Sequence, residues 1–155
     1  MYNHAPEGYD CPFCRLVCGF DTDRSSQQDV VYRDDDVTAF LSAGWWPNSP
    51  GNILVVPNER YENTYDLPPE LATPIQRVAR EVAIAFKETY GAQGVSTRNH
   101  NEPAGMQDVW HYHLHVFPRY EGDALYLHRR GSSTPEERLP YATKLRAFFA
   151  RRAVE

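Results

Sequence analysis

The stretch Val109-Trp-His-Tyr-His-Leu-His-Val-Phe117 holds three of the six histidines of this 155-residue chain. They are His111, His113 and His115, at every second position. Side chains of a β-strand alternate between its two faces, so a strand here places all three imidazoles on one face. The residues between them are large and mostly apolar, and we expect that opposite face to be buried against a helix.

The pattern on either side predicts an α+β fold with a mainly antiparallel sheet. Short apolar runs indicate further strands at residues 29–32, 37–41, 52–56 and 95–99. Apolar residues recur every three or four positions between Leu71 and Phe86, which predicts one long helix that ends at Gly91. Its start is expected near Pro68 or at Thr73. Strands, one long helix, further strands and a terminal helix are typical of the α+β class.

The end of the chain predicts a second helix, from Thr134 to Ala153, interrupted at Pro140. Residues 43–51 are rich in turn formers and predict a structured loop. We find no repeat and no linker long enough to divide the chain. A single domain is therefore expected over residues 1–155, with a short N-terminal extension and its motifs between about 11 and 150.

Charge and composition exclude several partners. The chain has 16 Lys and Arg against 21 Asp and Glu, for a net charge of −5, which argues against binding to nucleic-acid polymers or anionic membranes. The N-terminus shows no secretory signal, and no apolar run approaches the ~20 residues of a membrane span. We expect a cytoplasmic protein. Three closely spaced cysteines, Cys11, Cys14 and Cys18, favour a metal half-site or reduced thiols over a disulfide framework.

Three uses of the alternating histidines compete. They could be solvated or internally bonded, they could hold a zinc or iron ion, or one neutral imidazole could attack phosphorus while its neighbours hold it and bind phosphate oxygens. Amide side chains precede them at Asn99, Asn101 and Gln107. Because amides donate hydrogen bonds to phosphate oxygens without acid or base chemistry, they favour the phosphate interpretation.

The segment His111-Tyr-His-Leu-His-Val-Phe-Pro-Arg119 resembles the signature of the histidine-triad (HIT) family of nucleotide hydrolases and transferases. Pro50-Gly-Asn-Ile-Leu-Val-Val-Pro57 is similar to a strand of that family, and Cys11-Pro-Phe-Cys14 resembles the N-terminal Cys-x-x-Cys of many bacterial members. The resemblance covers roughly residues 11–150. It implies a five-stranded sheet and a homodimer formed through the long helix and a continued sheet.

The resemblance also implies residue roles. His113 would attack the α-phosphorus of a nucleotide, and water or another acceptor would release the nucleoside monophosphate from the nucleotidyl-histidine. His115 would contact the phosphate, and His111 would orient the site or serve as a structural ligand. Asn99 and Gln107 match positions that bind phosphate or bridge to the leaving group. No cofactor is required for this chemistry.

Three features around the expected substrate site depart from the family pattern. Ser42 stands where an aspartate often holds the ribose hydroxyls, so a substrate contact at Ser42 would be altered. Met106 is inserted before Gln107, in the loop around the leaving group. The pair Trp45-Trp46 would either reshape the base or leaving-group pocket or pack as a lid or dimer contact.

The family's Cys₂His₂ zinc site is incomplete here. Cys11, Cys14 and His111 are in place, but Arg60 stands where a histidine is expected. A guanidinium stays protonated and cannot coordinate zinc, and structural zinc strongly prefers four protein ligands. Reduced thiols are therefore favoured over bound zinc.

These observations favour a nucleotide hydrolase or nucleotidyl transferase with His113 as nucleophile. Its substrate would be a small nucleotide such as a phosphoramidate or a dinucleoside polyphosphate, with the base, leaving group and acceptor left open. Ser42 and Arg60 motivate an alternative, a nucleotide-binding module without turnover. A metal-dependent enzyme with His111 and His113 as ligands is the third possibility.

Overall fold

The structure is a computed structural model that describes residues 2–153. In chain order its elements are α1 (Pro12–Val17), β1 (Val30–Arg33), β2 (Val37–Leu41), β3 (Gly44–Trp45), β4 (Ile53–Pro57), α2 (Pro69–Ala85), β5 (Gly94–Asn99), β6 (Leu114–Arg119), β7 (Gly131–Ser132) and α3 (Pro135–Arg152). Five strands form one antiparallel sheet in the order β1-β2-β4-β6-β5. The expected α+β fold with a five-stranded sheet, one long helix and a C-terminal helix is confirmed.

Strands β2 and β4 are buried on both faces because, apart from Thr38, their residues are apolar. One face packs against α2 and α3 and contains Leu41, Ile53 and Val55. The opposite face packs against α1 and contains Phe40 and Leu54. The alternation of a strand therefore divides each apolar run between two cores.

The long helix α2 begins at Pro69, continues as a wider helical turn from Phe86 to Tyr90 and ends at Gly91, whose φ is 68°. Only glycine adopts this left-handed conformation freely, as expected for a helix C-terminus. In the described chain, residues 2–153, no helix is long and apolar enough to cross a membrane.

Helix α3 is capped by Thr134, whose hydroxyl accepts a hydrogen bond from the backbone N–H of Glu137. The expectation of an interruption at Pro140 was wrong, because the helix continues through this residue. Pro140 lies near the start of the helix with its side chain exposed, so the helix loses one backbone hydrogen bond without a clash in the core.

The strand that carries the histidines is shorter than expected. It begins at Leu114, so His115 lies on β6 whereas His111 and His113 precede it in irregular backbone. Leu114 is the first residue of β6, and it pairs with both β4 and β5. The ladder to β4 stops before Pro57, which has no N–H to donate.

A two-stranded sheet, β3 with β7, brings residues 125–133 across the histidine end of the molecule. Its anchor is Arg138, which is buried and forms two hydrogen bonds with Asp29, of 2.7 and 3.1 Å. Arg138 also donates to the carbonyls of Ser133 and Arg24. This contact fixes the segment that carries Arg130.

Candidate functional site

One ring nitrogen of His113 is held by a hydrogen bond, and the other has no partner among residues 2–153. Its side chain is only 2% exposed, and its Nδ1 lies 2.8 Å from the carbonyl oxygen of His111. Because a carbonyl only accepts, Nδ1 carries the proton and Nε2 keeps its lone pair. Burial lowers the pKa of His113, which keeps the imidazole neutral at pH 7. A neutral, fixed imidazole of this kind has the chemistry that nucleophilic attack requires.

His115 completes the pair beside His113. Their ring centroids are 4.9 Å apart, and His115 stacks on Phe117 with parallel planes, 5.5 Å between centroids. Burial lowers the pKa of His115 well below its usual value. Its Nδ1 is buried and has no hydrogen-bond partner among the described residues. His113 and His115 are therefore neighbours although only His115 lies on the strand.

His111 lies apart from this pair and faces two thiols. Its Nε2 donates to the carbonyl of Pro57 at 2.8 Å, and its Nδ1 lies 3.4 Å from Cys11 Sγ and 3.5 Å from Cys14 Sγ. Burial lowers the pKa of His111 to about 4. The unprotonated Nδ1 is thus directed at the two sulfurs, as expected for a structural role.

Two cavities adjoin the histidines. The first, about 90 Å³, lies beside His113 and His115 and has an apolar end formed by Phe13, Leu16, Phe40, Leu54 and Val109. The second, a cleft of about 420 Å³, contains His115 and is bordered by Trp46, Arg98, His100, Tyr126 and Arg129. His115, Asp108 and Arg130 border both cavities. These three residues therefore lie where the cavities meet.

Of the three expected substrate-binding residues, Ser42 lines a cavity beside the histidines, whereas Asn99 and Gln107 do not. Ser42 lines the first cavity, but its hydroxyl exchanges hydrogen bonds with the backbone of Gly44. Asn99 donates to the carbonyl of His113 at 3.0 Å and so supports its backbone. Gln107 is buried and lines neither of these two cavities, because its amide bonds the backbone of the surrounding loop. Phosphate contacts by Asn99 and Gln107 stay a prediction.

Four residues that line the cavities were not identified from the sequence. Strict strand alternation from His111 would place Asp108 on the face opposite the histidines, but it borders the first cavity with His113, because residues 109–113 do not form a strand. Arg130 reaches the site through β7 and forms an ion pair with Asp108 at 2.9 Å. Arg98 and Tyr126 are brought into contact only by the fold.

The two neighbouring tryptophans pack in different places. Trp45 packs on Tyr141, and Trp46 packs on Phe117.

Known proteins resemble this chain over most of its length. The family model described as HIT domain matches residues 23–122, about two thirds of the chain. The chain belongs to the HIT family. The protein "Protein hit" of Bacillus subtilis is 35% identical over 115 residues, which cover 74% of each chain. The adenylylsulfatase HINT3 of Arabidopsis thaliana is 26% identical over 117 residues, 76% of this chain and 56% of the relative.

A solved structure of a zinc-bound HIT protein from Mycobacterium smegmatis has a TM-score of 0.77 and 30% identity, over 94% of this chain and 98% of that one. In this chain, Cys11, Cys14 and His111 could hold a metal, since their ligand atoms lie within 4.8 Å of one another. Burial and the neighbouring Cys11 raise the pKa of Cys14 to about 12. Without a metal the Cys14 thiol is therefore well suited to remain protonated beside His111.

Arg60 occupies the position from which the sequence comparison expected a fourth ligand. Arg60 donates to the carbonyl of Trp110 at 3.4 Å, and its guanidinium lies 5.8 Å from the ring centroid of Tyr9. Its charge lowers the pKa of His111 and opposes the rise at Cys14. Three donors of the described chain fit a metal and Arg60 does not, so a closed four-ligand zinc site is incomplete.

Proposed function

We propose that this HIT protein is a nucleotide hydrolase or nucleotidyl transferase in which His113 forms a covalent nucleotidyl intermediate. One observation carries the proposal: His113 is buried beside the first cavity with Nδ1–H donated to the His111 carbonyl and Nε2 available. Family membership and the nucleotide chemistry named for the Arabidopsis relative support the substrate class.

The first step forms a bond between Nε2 of His113 and the α-phosphorus. The bond from phosphorus to the leaving group breaks, and its electron pair goes with the leaving group, which takes a proton from solvent when it is an amine. The resulting nucleotidyl-imidazolium keeps its Nδ1 proton. This N–H donates a hydrogen bond to the carbonyl oxygen of His111, which lies 2.8 Å from Nδ1. This hydrogen bond strengthens as positive charge develops on the ring, so it favours the intermediate.

The second step returns the enzyme to its starting state. A water molecule attacks phosphorus, the bond to Nε2 breaks, and its electron pair returns to His113. The water proton passes to solvent, and the nucleoside monophosphate leaves; an alcohol or amine acceptor in place of water gives transfer instead. Dividing one displacement into two easier steps is the advantage of a covalent intermediate.

The first cavity suits the nucleoside. Its apolar end, bounded by Phe13, Leu16 and Phe40, offers aromatic and aliphatic surface to a planar base. Ser42 faces the same cavity, but its hydroxyl donates to the carbonyl of Gly44 and accepts from its N–H, which leaves one acceptor lone pair where a carboxylate offers several. We propose ribose contacts that differ from those of family members with an aspartate at this position.

The direct test offers adenosine phosphoramidate and diadenosine triphosphate and measures AMP release by chromatography. We expect turnover of at least one substrate, and rapid quenching should trap a nucleotidyl group on His113, located by peptide mass spectrometry. An adduct that is labile in acid and stable in base identifies the nitrogen–phosphorus bond. Release of AMP without any adduct on His113 would contradict the covalent step.

The alternative of a binding module without turnover makes a different prediction for the same samples. Such a module would bind AMP in a calorimeter and release none from either substrate. The departure at Ser42 leaves the apolar lining of the first cavity and His113 in place, and Arg60 contacts Trp110 and Tyr9 without bordering this cavity. We therefore expect both binding and turnover.

Removal of metal is expected to change turnover by less than about twofold, because an imidazole nucleophile needs no Lewis acid. Metal content should be measured by plasma mass spectrometry before and after treatment with a chelator, together with AMP release. A Cys11→Ser, Cys14→Ser double variant controls for metal bound at the three-donor cluster. Turnover that disappears with the chelator and returns with added zinc would instead support a metal-dependent enzyme.

We also propose the homodimer and cytoplasmic location expected from the sequence. Strand β5 lies at the edge of the sheet and its side chains are mostly half-buried, which would allow a second copy to continue the sheet. Sedimentation at micromolar concentration tests the dimer.

A further inference from the structure

Arg98 is held in a cage of aromatic rings within the second cavity. Its guanidinium carbon lies 4.4 Å from the ring centroid of Phe117, 5.0 Å from that of Trp46 and 5.4 Å from that of Tyr126. Three rings restrict its position and remove water from its faces. A charged side chain fixed in this way is prepared to bind a ligand at its edge.

The guanidinium of Arg98 has no anionic partner within residues 2–153. It forms no ion pair or hydrogen bond there, and its Nε is buried without a partner. The neighbouring Arg119 differs, since Asp123 accepts two of its hydrogen bonds. Because a desolvated charge is costly unless it is paired, the free edge of Arg98 favours an external anion.

The charge of the cleft supports the same conclusion. Arg98, Arg129 and Arg130 border it, against the single carboxylate of Asp108, which Arg130 already pairs. This positive cleft belongs to a chain whose net charge is −5. The field therefore comes from a local arrangement, which suits a small anion better than a polyanion.

Arg98 lies next to the reacting group. It pairs directly with His115 across the β5–β6 ladder, and His115 is 4.9 Å from His113 between ring centroids. An α-phosphate at His113 and His115, with its nucleoside in the first cavity, has the second cavity open for the leaving group. The free edge of Arg98 is then available to that leaving group.

We propose that Arg98 binds the leaving group and makes the protein select an anionic one, carrying at least one further phosphate, over an uncharged amine. The inference rests on the proposed function, because it assigns the second cavity to the leaving group. Arginine suits this task because its planar donors match phosphate oxygens in pairs. Trp46, Phe117 and Tyr126 position the guanidinium.

The turnover test compares diadenosine triphosphate, whose leaving group is ADP, with adenosine phosphoramidate, whose leaving group is ammonia. Arg98→Gln is expected to lower kcat/KM for diadenosine triphosphate by about 10- to 100-fold, the effect of one charged hydrogen bond. For the phosphoramidate we expect a change of less than about threefold, because no leaving-group charge is lost. Arg98→Lys should recover part of the loss.

Binding supplies a measurement that does not depend on turnover. The wild type should bind the α,β-methylene analogue of ADP more tightly than AMP by calorimetry, and Arg98→Gln should abolish this preference. An equal affinity for the two ligands in the wild type, or an unchanged preference in the variant, would overturn the assignment. If neither substrate is cleaved, the proposed function fails, and these affinities still decide the role of Arg98.

Arg129→Gln is the matched control, since it removes the same charge from an exposed position of the cleft. Its effect on the analogue should stay within about threefold, because an exposed charge is screened by water and salt. An effect as large as that of Arg98→Gln would show a general field and contradict a specific role of Arg98. Equal losses for both substrates with Arg98→Gln, together with a lower melting temperature, would indicate a structural role only.

Discussion

Replacement of His113 by alanine is expected to lower kcat for AMP release by at least about 10³-fold, since it removes the attacking nitrogen. Affinity for AMP should change far less, because the apolar end of the first cavity remains. His113→Asn is the more informative variant, since its amide retains a donor for the His111 carbonyl and lacks a nucleophilic ring nitrogen. Steady-state kinetics and calorimetry measure both quantities.

His4→Ala serves as the control, because His4 is an exposed histidine that borders neither of the two cavities. It should keep the wild-type rate. Circular dichroism should show that the His113 variants are folded. A folded His113→Asn protein with a rate within tenfold of the wild type, a small effect for a nucleophile, would exclude His113 from that role.

The second large effect concerns stability. Arg138→Leu is expected to lower the free energy of unfolding by about 3 to 5 kcal/mol, because it leaves the carboxylate of Asp29 buried without its partner. Both side chains are almost completely buried, at 2% and 3% exposed. Urea unfolding monitored by tryptophan fluorescence measures the change.

A matched ion pair of the same length but greater exposure provides the control. Arg77 and Asp34 are also 2.7 Å apart, with side chains 51% and 26% exposed. Arg77→Leu should cost less than about 1 kcal/mol, because solvent screens the pair and hydrates the remaining carboxylate. Equal effects of the two substitutions would show that burial does not decide the contribution of the Arg138 contact.

Arg138 also links stability to the site. It holds the carbonyl of Ser133, next to strand β7, and β7 carries Arg130 to the junction of the two cavities. A weakened anchor would loosen this segment before the five-stranded sheet unfolds. The stability variant is therefore expected to lose some catalytic efficiency as well, by a smaller factor than the His113 variants.

The strands that apolar runs indicated were correct in the centre of the sheet and less accurate at its functional end. Strand β2 matches its predicted range, residues 37–41, because both faces are buried and the apolar run is unambiguous. The histidine strand was predicted too long, since alternation alone does not show where a neighbouring strand ends at a proline. Strict alternation also misplaces Asp108, because the backbone between it and Leu114 is irregular.

Local pattern was sufficient for the class of fold, the long helix, the helix stop at Gly91 and the proximity of His113 to His115, but not for the position of His111, whose imidazole faces Cys11 and Cys14. Each depends on side-chain period, turn chemistry or a motif within a short stretch. The registers and long-range contacts came from the folded chain: His115 beside Arg98, β7 beside β3, and His111 beside two thiols almost a hundred residues away. Such pairings result from the packing of distant segments, and a short sequence pattern contains no information about which distant segment will pack beside it.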